Sequence, residues 1–326
     1  MSLHPLRFHP IYKDKLWGGQ KIREVLGKDF GALPNCGESW ELSGVPGNIS
    51  VVAEGPLAGR SLVELIQTYR HELVGQPVYD RYGDTFPLLI KFLDAADDLS
   101  IQVHPGDDLA LARHQSLGKT EMWYILDADP GATLITGFAR PLDKDTYLDY
   151  FRAGRLMELL NIEPATPGDV FFTPAGRVHS LGRGLLLAEI QQTSDVTYRI
   201  YDFDRTDEQG RTRELHVEEA LDAIDYTHYP SYRTSYDDRL NADVPLVEAE
   251  YFATHRLRYD SPTTRDYRDR ASFTVAICVE GALELHHEGS ITPLQRGDTV
   301  LIPAAVQTLD LRPTAGAFTL LETWVP

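Results

Sequence analysis

The segment from Gly168 to His179 constrains the fold of this chain more than any other. It runs Gly-Asp-Val-Phe-Phe-Thr-Pro-Ala-Gly-Arg-Val-His, so a short apolar strand leads directly into Pro-Ala-Gly. Proline fixes one backbone angle and glycine permits a positive one, and together they predict a tight corner between two strands. His179 follows the last glycine by three residues. A histidine placed there can point into the mouth of a β-barrel, where a metal ion can bind.

The same frame recurs near the C-terminus, between Gly297 and Thr308. This copy runs Gly-Asp-Thr-Val-Leu-Ile-Pro-Ala-Ala-Val-Gln-Thr, and a threonine stands at the histidine position. The repeat predicts two related β units, of which only the first carries the candidate ligand. We therefore expect the chemistry in the N-terminal unit and a packing role for the C-terminal one.

Composition and charge restrict the classes of partner. The 326 residues are 42% hydrophobic and 25% charged, which is enough to bury a large core and allows roughly two domains. The formal net charge of −18 argues against nucleic acid or an anionic membrane as the partner. No apolar stretch approaches the ~20 residues of a membrane span. The two cysteines, Cys36 and Cys278, lie far apart in sequence, so we expect reduced thiols in a cytoplasmic protein.

Short strands separated by glycine and proline dominate the chain, which favours a mainly β fold of sandwiches or barrels. Strands are predicted over residues 86–93, 99–104, 120–126, 132–136, 184–192 and 197–203, and then over 251–259, 272–279, 282–287, 298–302 and 318–324. Helices are predicted over 61–73, 107–115 with Asp107 as the cap, 143–160 with a break near Gly154, and 217–224. The polar run 229–241 is the candidate linker. We predict a catalytic domain over 1–232 and a degenerate β domain over 233–326.

Four side chains form a candidate metal site. Gln102 and His104 are two positions apart on a predicted strand and therefore share a face. Glu121 begins the next strand, and His179 lies at the corner. Two imidazoles, a carboxylate and an amide oxygen suit a divalent ion such as Zn²⁺, with one position open for water or substrate. Taken singly, His104 could equally be a packed or surface histidine, and Glu121 a solvated charge.

The motifs around these residues resemble those of the class I mannose-6-phosphate isomerases of the short bacterial type, which are cupin-fold metalloenzymes. The segment Gly168–His179 resembles the second cupin motif, and Leu-Ser-Ile-Gln-Val-His-Pro at 99–105 and Gly-Lys-Thr-Glu-Met-Trp-Tyr at 118–124 resemble the ligand segments of this family. Further matches are Gly-Glu-Ser-Trp-Glu-Leu-Ser at 37–43 and Thr-Tyr-Arg-Ile-Tyr-Asp-Phe-Asp-Arg at 197–205. The resemblance covers about residues 8–227, and the C-terminal half is more weakly cupin-like.

The resemblance implies two cupin-like jelly-roll barrels or sandwiches, with helical insertions in the N-terminal one. It implies one Zn²⁺ per chain, bound by Gln102, His104, Glu121 and His179, where three protein ligands plus solvent would also serve in place of the glutamine. The functional arginine of the family falls on Arg199, and a lysine and an acid that line its pocket fall on Lys119 and Glu189. The implied protein is a monomer or homodimer acting on a sugar phosphate.

The implied reaction interconverts mannose 6-phosphate and fructose 6-phosphate through a cis-enediol. It requires a base near C1 and C2, a group that stabilises the enediolate, and a clamp for the phosphate. Glu189 lies on a strongly apolar strand, where burial would raise its pKa toward that of a useful base. It could equally form an ion pair with Arg199, and Lys119 could be a surface lysine. Arg199 could stabilise the enediolate or bind phosphate.

The sequence leaves the phosphate clamp and the sugar contacts open. Arg177, Arg183 and Lys91 are candidate phosphate ligands, and each could instead be a solvated charge. Trp17 and Trp40 could form a wall against the sugar or simply cover the core. Two other functions use the same site: another metal-dependent cupin that acts on sugar phosphates or uses oxygen with iron, and a non-catalytic sugar-binding cupin.

Overall fold

A computed structural model describes residues 3–206 and 209–326 and is mainly β. The N-terminal half contains the strands β1 (Leu6–Arg7), β2 (Ile11–Lys13), β3 (Glu38–Leu42), β4 (Leu88–Ala95), β5 (Ile101–Val103), β6 (Glu121–Ala128), β7 (Thr133–Phe138), β8 (Leu160–Pro164), β9 (Val170–Thr173), β10 (His179–Leu181), β11 (Leu185–Gln192) and β12 (Tyr198–Tyr201). The six strands predicted around the corner are confirmed, with ends that shift by at most two residues.

Helices are inserted between the N-terminal strands, as predicted. They are α1 (Lys21–Glu24), α2 (Leu62–Tyr69), α3 (His71–Val74), α4 (Gln76–Tyr82), α5 (Asp107–His114), α6 (Lys144–Arg152) and α7 (Val217–Ala223), with a 3₁₀ turn over Leu156–Glu158. The helices α1 and α4 were not predicted. No helix in the described ranges is long and apolar enough to cross a membrane.

Two predicted helix features need correction. The helix predicted over 61–73 starts with the expected capping box of Ser61 and Glu64, but it breaks at Arg70, whose φ is +47°. Asp107 is the first residue of α5, and Gly106 occupies the cap position. The Asp107 carboxylate instead accepts hydrogen bonds from the Gly118 amide and the Gln192 side chain, at 2.7 and 2.9 Å, and so ties the helix to the segment that leads into β6.

The C-terminal half contains strands only, as expected from its sequence. They are β13 (Ala242–Glu248), β14 (Ala253–Tyr259), β15 (Thr263–Asp266), β16 (Thr274–Glu280), β17 (Ala282–His287), β18 (Ser290–Gln295), β19 (Thr299–Ile302), β20 (Thr308–Pro313) and β21 (Phe318–Trp324). The strands β13, β15, β18 and β20 were not predicted. They are short or contain proline, within β13 and β18 and at the end of β20, so the pattern that signals a strand is weak there.

Each half is built from two antiparallel sheets. In the N-terminal half a six-stranded sheet has the order β2-β3-β4-β11-β6-β9 and a five-stranded sheet has the order β12-β5-β10-β7-β8. Apolar side chains of both sheets pack together between them, among them Leu93, Trp123, Leu181 and Leu187. The C-terminal half pairs a six-stranded sheet, β1-β19-β16-β21-β14-β13, with a four-stranded sheet, β15-β20-β17-β18. The predicted cupin-like arrangement of paired sheets is confirmed.

The two halves share a core. Residues from the outer face of the N-terminal six-stranded sheet, such as Phe92 and Ile190, join the same buried cluster as Val275 and Leu321 of the C-terminal one. The N-terminal strand β1 pairs with β19, so it belongs to the six-stranded sheet of the C-terminal half. The division at residues 232 and 233 stays a prediction.

Strand alternation explains where the site lies. On β11, Leu186 and Ile190 face the core shared by the two halves, whereas Leu187 and Glu189 face the space between the two N-terminal sheets. Both faces of this strand are therefore buried, and its sequence is almost continuously apolar. Glu189 interrupts the apolar run from Leu185 to Ile190, and it lines the cavity between the sheets.

The Pro-Ala-Gly corner is held by backbone hydrogen bonds on both sides of Gly176. The Gly176 amide donates to the His104 carbonyl at 2.9 Å, and the Asp225 amide donates to the Gly176 carbonyl at 2.8 Å. Gly176 has a φ of +90°, which side chains with a Cβ rarely adopt. The corner therefore fixes the chain beside His104 as well as the start of the strand that carries His179.

Gly176→Ala is expected to destabilise the protein more than Gly168→Ala. Both glycines have a φ near +90°, but an added Cβ meets the Ala223 carbonyl oxygen at 2.9 Å only at Gly176, whereas at Gly168 it has just a 3.4 Å contact with the Tyr236 hydroxyl. Strain of this kind costs about 1–3 kcal/mol. Thermal melting measures the difference, and equal melting temperatures for the two variants would contradict this role of the corner.

Candidate metal centre and adjoining cavity

His104, Glu121 and His179 form a buried triangle. The Nε2 atom of His104 lies 3.6 Å from Glu121 Oε2, and the Nε2 atom of His179 lies 3.4 Å from Glu121 Oε1. The possible ligand atoms of all three residues lie within 4.8 Å of one another, and each side chain is 1% exposed. The structure thus brings together three of the residues that the sequence predicted as ligands.

Backbone carbonyls orient both imidazoles. His104 Nδ1 lies 2.9 Å from the Val196 carbonyl oxygen, and His179 Nδ1 lies 2.8 Å from the Arg177 carbonyl oxygen. Because a carbonyl only accepts, each Nδ1 carries the proton, and each Nε2 lone pair is directed toward Glu121. This is the arrangement in which histidines commonly bind metal ions.

The surroundings of the Glu121 carboxylate suit a bound cation. Both of its oxygens are buried and have no hydrogen-bond partner within the described ranges. Burial, and next the charge of Glu189, raise the pKa of Glu121 against the opposing effect of Lys119. A carboxylate in such a place must be neutralised by a positive charge. Two ligands about 2.0–2.1 Å from a tetrahedral Zn²⁺ lie roughly 3.3–3.4 Å apart, close to the distances found here.

The imidazoles are in the form that binds a metal. Burial lowers the pKa of His179 to about 4, and burial together with the charge of Lys119 lowers that of His104 well below its usual value. Both rings are therefore neutral near pH 7, and each Nε2 is an unprotonated acceptor, which in His104 is contacted by Lys119 Nζ and in His179 by the Gln102 amide.

Gln102 adjoins the triangle. It pairs with His179 on one side and with Arg199 on the other in the five-stranded sheet. Its Nε2 atom lies 3.2 Å from His179 Nε2, so the amide nitrogen contacts the triangle. A metal ligand would have to be the amide oxygen instead. A half turn of the amide would exchange the two atoms. Direct coordination by Gln102 stays a prediction.

A cavity of about 320 Å³ opens beside the triangle, within the ~300–1,000 Å³ range of small-molecule sites. The predicted residues Gln102, Lys119, His179, Glu189 and Arg199 all line it. Its wall is mostly polar and charged. The structure therefore brings the candidate ligands and the three candidate catalytic residues to one place.

The ion-pair partner of Glu189 differs from the predicted one. Glu189 Oε1 lies 3.2 Å from Lys91 Nζ, and Trp123 Nε1 donates to Glu189 Oε2 at 3.1 Å. Lys91 and Trp123 stand directly opposite Glu189 on the two neighbouring strands. Arg199 belongs to the other sheet, and its Nη1 donates to the Glu214 carbonyl at 2.8 Å.

The predicted rise in the pKa of Glu189 is also wrong. Burial alone raises this pKa, but the charges of Lys91 and then Lys119 outweigh it, and the pKa is lowered. The sequence could not reveal this, because Lys91 is 98 positions away and becomes a neighbour only through strand pairing. Glu189 is consequently a carboxylate that stays ionised.

Lys119 is buried beside the triangle, so the surface-lysine alternative is wrong. Its Nζ lies 3.1 Å from His104 Nε2 and 3.3 Å from Glu121 Oε2. The Lys119 amide donates to the Pro105 carbonyl at 3.2 Å. The chain thus leaves the site after His104, forms α5, and returns to it at Lys119.

The cationic groups suited to a phosphate are Arg199, which was also proposed from sequence, and Arg213, which was not. Arg177 stacks on Tyr229 and Tyr232 outside the cavity, and Arg183 is 71% exposed beside two aspartates. Lys91 lines the cavity but is held between Glu189 and Glu38.

Arg199 and Arg213 line the cavity, and Arg199 has no ion-pair partner among the described residues.

Sequence reasoning missed several residues of the cavity wall. Lys15, Glu38 and Arg213 line it, and Glu38 pairs with Lys15 at 3.1 Å. The matched segment at 37–43 was the available signal for Glu38, although its role was not assigned. Trp17 lines the cavity, as one of the two alternatives expected. Trp40 does not, because its Nε1 donates to Glu38 from behind the wall, at 2.6 Å.

The paired sheets and the buried His-Glu-His group define a cupin-type protein with a candidate metal centre. Two family models match the chain: the catalytic domain of type I phosphomannose isomerase over residues 6–133, and the cupin domain of mannose-6-phosphate isomerase over residues 243–317. This chain belongs to the type I mannose-6-phosphate isomerase family of enzymes.

Individual relatives match between two thirds and nearly all of the chain. The chain is 35% identical over 309 residues to the mannose-6-phosphate isomerase ManA of Bacillus subtilis, covering 93% of this chain and 94% of the relative. It is 42% identical over 220 residues to the mannose-6-phosphate isomerase of Streptococcus mutans, covering 68% and 67%. A crystal structure of mannose 6-phosphate isomerase from Bacillus subtilis superposes with a TM-score of 0.87 at 34% identity, covering 98% and 99%.

His179→Ala is expected to lose the bound divalent metal, because it removes one of the two imidazoles of the triangle. Metal content measured by mass spectrometry after dialysis should fall from about one ion per chain to near zero. His114→Ala is the matched control, since His114 bonds the Tyr198 hydroxyl at 2.8 Å and lies outside the triangle. Full metal content in the His179 variant would contradict the assignment.

Proposed function

We propose that this protein interconverts mannose 6-phosphate and fructose 6-phosphate, with one Zn²⁺ held by His104, Glu121 and His179 and with Gln102 as a fourth ligand. The buried His-Glu-His triangle beside a cavity lined by cations carries the proposal. The names of the relatives support the substrate. When bound, the ion would polarise the carbonyl and hydroxyl oxygens at C1 and C2 of the open-chain sugar.

Glu189 is the proposed base that moves the proton between C1 and C2 through a cis-enediol. Its carboxylate faces the cavity, and its lowered pKa keeps it ionised. The contacts with Lys91 and Trp123 hold it in one orientation. Glu38 is a weaker candidate, because Lys15, Lys91 and Trp40 all contact its carboxylate and lower its pKa to about 2.

Lys119 and Arg199 are the proposed stabilisers of negative charge. Lys119 lies beside the triangle, where an oxygen of the enediolate would develop charge, and its ammonium would offset that charge. Arg199 and Arg213 stand together on the cavity wall, and their guanidinium groups suit a phosphate. The Arg213 side chain is fixed by Asp202, with Nε 2.7 Å from Oδ2.

The remaining assignments extend the same proposal. Zn²⁺ is the proposed ion because two imidazoles and a carboxylate with an open position form a common catalytic zinc site. The cytoplasm is the proposed location, supported by two cysteines that are both free and buried. A monomer or a homodimer is the proposed state.

Arg199→Ala is expected to lower kcat/KM for mannose 6-phosphate by about 100-fold or more while the metal stays bound. A coupled assay for fructose 6-phosphate measures the loss, and metal analysis of the same sample checks the ion. Arg183→Ala removes an exposed arginine outside the cavity and should keep near-normal activity. If metal-replete wild-type protein shows no turnover in this assay, before as well as after chelator treatment, the proposed function is refuted.

Lys91→Met should move the acidic limb of the kcat/KM profile to higher pH by about 1–3 units. Lys91 lowers the pKa of Glu189, so its removal raises that pKa, and the carboxylate is then protonated at a higher pH. Lys91→Arg keeps the positive charge, so its pH profile should match that of the wild-type protein. An unshifted acidic limb in the methionine variant would show that Glu189 does not act as the base.

A further inference from the structure

A second cavity, of about 590 Å³, lies between the two halves of the chain. Its walls are Tyr124–Leu126 of β6, the turn at 167–169, the segment 234–238, and residues of the C-terminal sheets. Tyr124 and Leu126 lie on the face of β6 opposite to Glu121 and Trp123. This cavity is therefore separate from the proposed catalytic one.

Three arginines converge on this second cavity. Arg256 and Arg258 lie two positions apart on β14, so their side chains leave the same face of the sheet. Arg296 reaches it from the turn between β18 and β19. The Arg256 side chain is 6% exposed, and its guanidinium centre lies 5.6 Å from the Tyr236 ring. A buried guanidinium is costly unless its donors and its charge are both matched.

The donors of these arginines are only partly used. Nε and Nη1 of Arg256, Nε of Arg258 and Nε of Arg296 are all buried and lack a hydrogen-bond acceptor in the described part of the chain. The bonds that are made go to Asp238 from Arg256 and Arg258, at 2.9 and 3.2 Å, and to the Leu126 carbonyl from Arg296, at 2.9 Å. Four buried nitrogen donors of these arginines are therefore without an acceptor among the described residues.

The charge in the cavity is not balanced either. Asp169 is neutralised by Arg233 at 3.3 Å, and Glu280 accepts from the Thr319 hydroxyl at 3.0 Å. Asp238 and Glu280 therefore face three guanidinium groups. This local excess of positive charge stands out in a chain whose net charge is −18.

We propose that this cavity binds the phosphate group of a small phosphorylated metabolite. Guanidinium groups match phosphate oxygens in pairs of hydrogen bonds, and the three here carry more positive charge than Asp238 and Glu280 neutralise. The volume exceeds that of inorganic phosphate alone, and Tyr124 and Tyr236 offer aromatic surface for an organic remainder. The inference does not depend on the proposed isomerase activity, because none of the lining residues belongs to the catalytic cavity.

The test measures the rise in melting temperature with added phosphate, at ionic strength held constant with chloride. The probes are inorganic phosphate and glycerol 3-phosphate, and every protein carries Arg199→Ala to weaken phosphate binding in the catalytic cavity. The double variant Arg258→Gln/Arg296→Gln should bind both probes about tenfold or more weakly. Arg312→Gln removes an exposed arginine of the same half and should leave binding unchanged.

An unchanged phosphate response in the folded double variant, or no response in the Arg199→Ala background, would overturn the proposal. Glycerol 3-phosphate that binds no more tightly than inorganic phosphate would overturn the assignment to an ester. If the double variant does not fold, crystals of the Arg199→Ala protein soaked in tungstate decide the matter. Anomalous density beside Arg256, Arg258 and Arg296 supports the site, and its absence there refutes it. Neither measurement uses isomerase turnover, so failure here is distinct from failure of the proposed function.

Discussion

The buried carboxylate of Glu121 sets the requirements that the rest of the site meets. Both of its oxygens lack hydrogen bonds within the described ranges, two imidazole nitrogens face it at 3.4 and 3.6 Å, and one ammonium group lies at 3.3 Å. Carbonyl groups fix both imidazole tautomers, so the lone pairs converge. The Lys119 ammonium offsets the charge of Glu121, but the carboxylate oxygens and the two ring nitrogens still converge on one point, as the ligands of a divalent ion do. The proposed chemistry depends on that convergence.

A second set of buried charges prepares the cavity for an anionic substrate. Lys15, Glu38, Lys91 and Glu189 alternate in sign along the wall, with contacts of 3.1, 3.8 and 3.2 Å. Buried ion pairs often contribute little net stability because desolvation opposes their attraction. Their role here is better explained by orientation: Lys91 holds Glu189 ionised and fixed, while the guanidinium of Arg199 faces the cavity without an acidic partner among the described residues. The same protein that repels anions overall thereby presents a locally positive pocket.

Much of this arrangement could be predicted from the sequence, where the signal is local. The corner at Gly176, the strand that begins at Glu121, and the chain of elements between them are confirmed, because turn residues and apolar alternation depend on near neighbours. Pairing between distant strands was not predictable. The contact of Glu189 with Lys91 rather than Arg199 depends on strand register, and so does the direction of its pKa shift. The arginines of the second cavity come together from two separate C-terminal segments, which no local pattern connects.

Anomalous diffraction from crystals grown with Zn²⁺ and fructose 6-phosphate would locate the ion and the sugar in one experiment. We expect one zinc peak among His104 Nε2, His179 Nε2 and the Glu121 carboxylate, with the sugar in the adjoining cavity and C1 and C2 within reach of Glu189. A zinc peak elsewhere, or a sugar bound outside that cavity, would refute the proposed site.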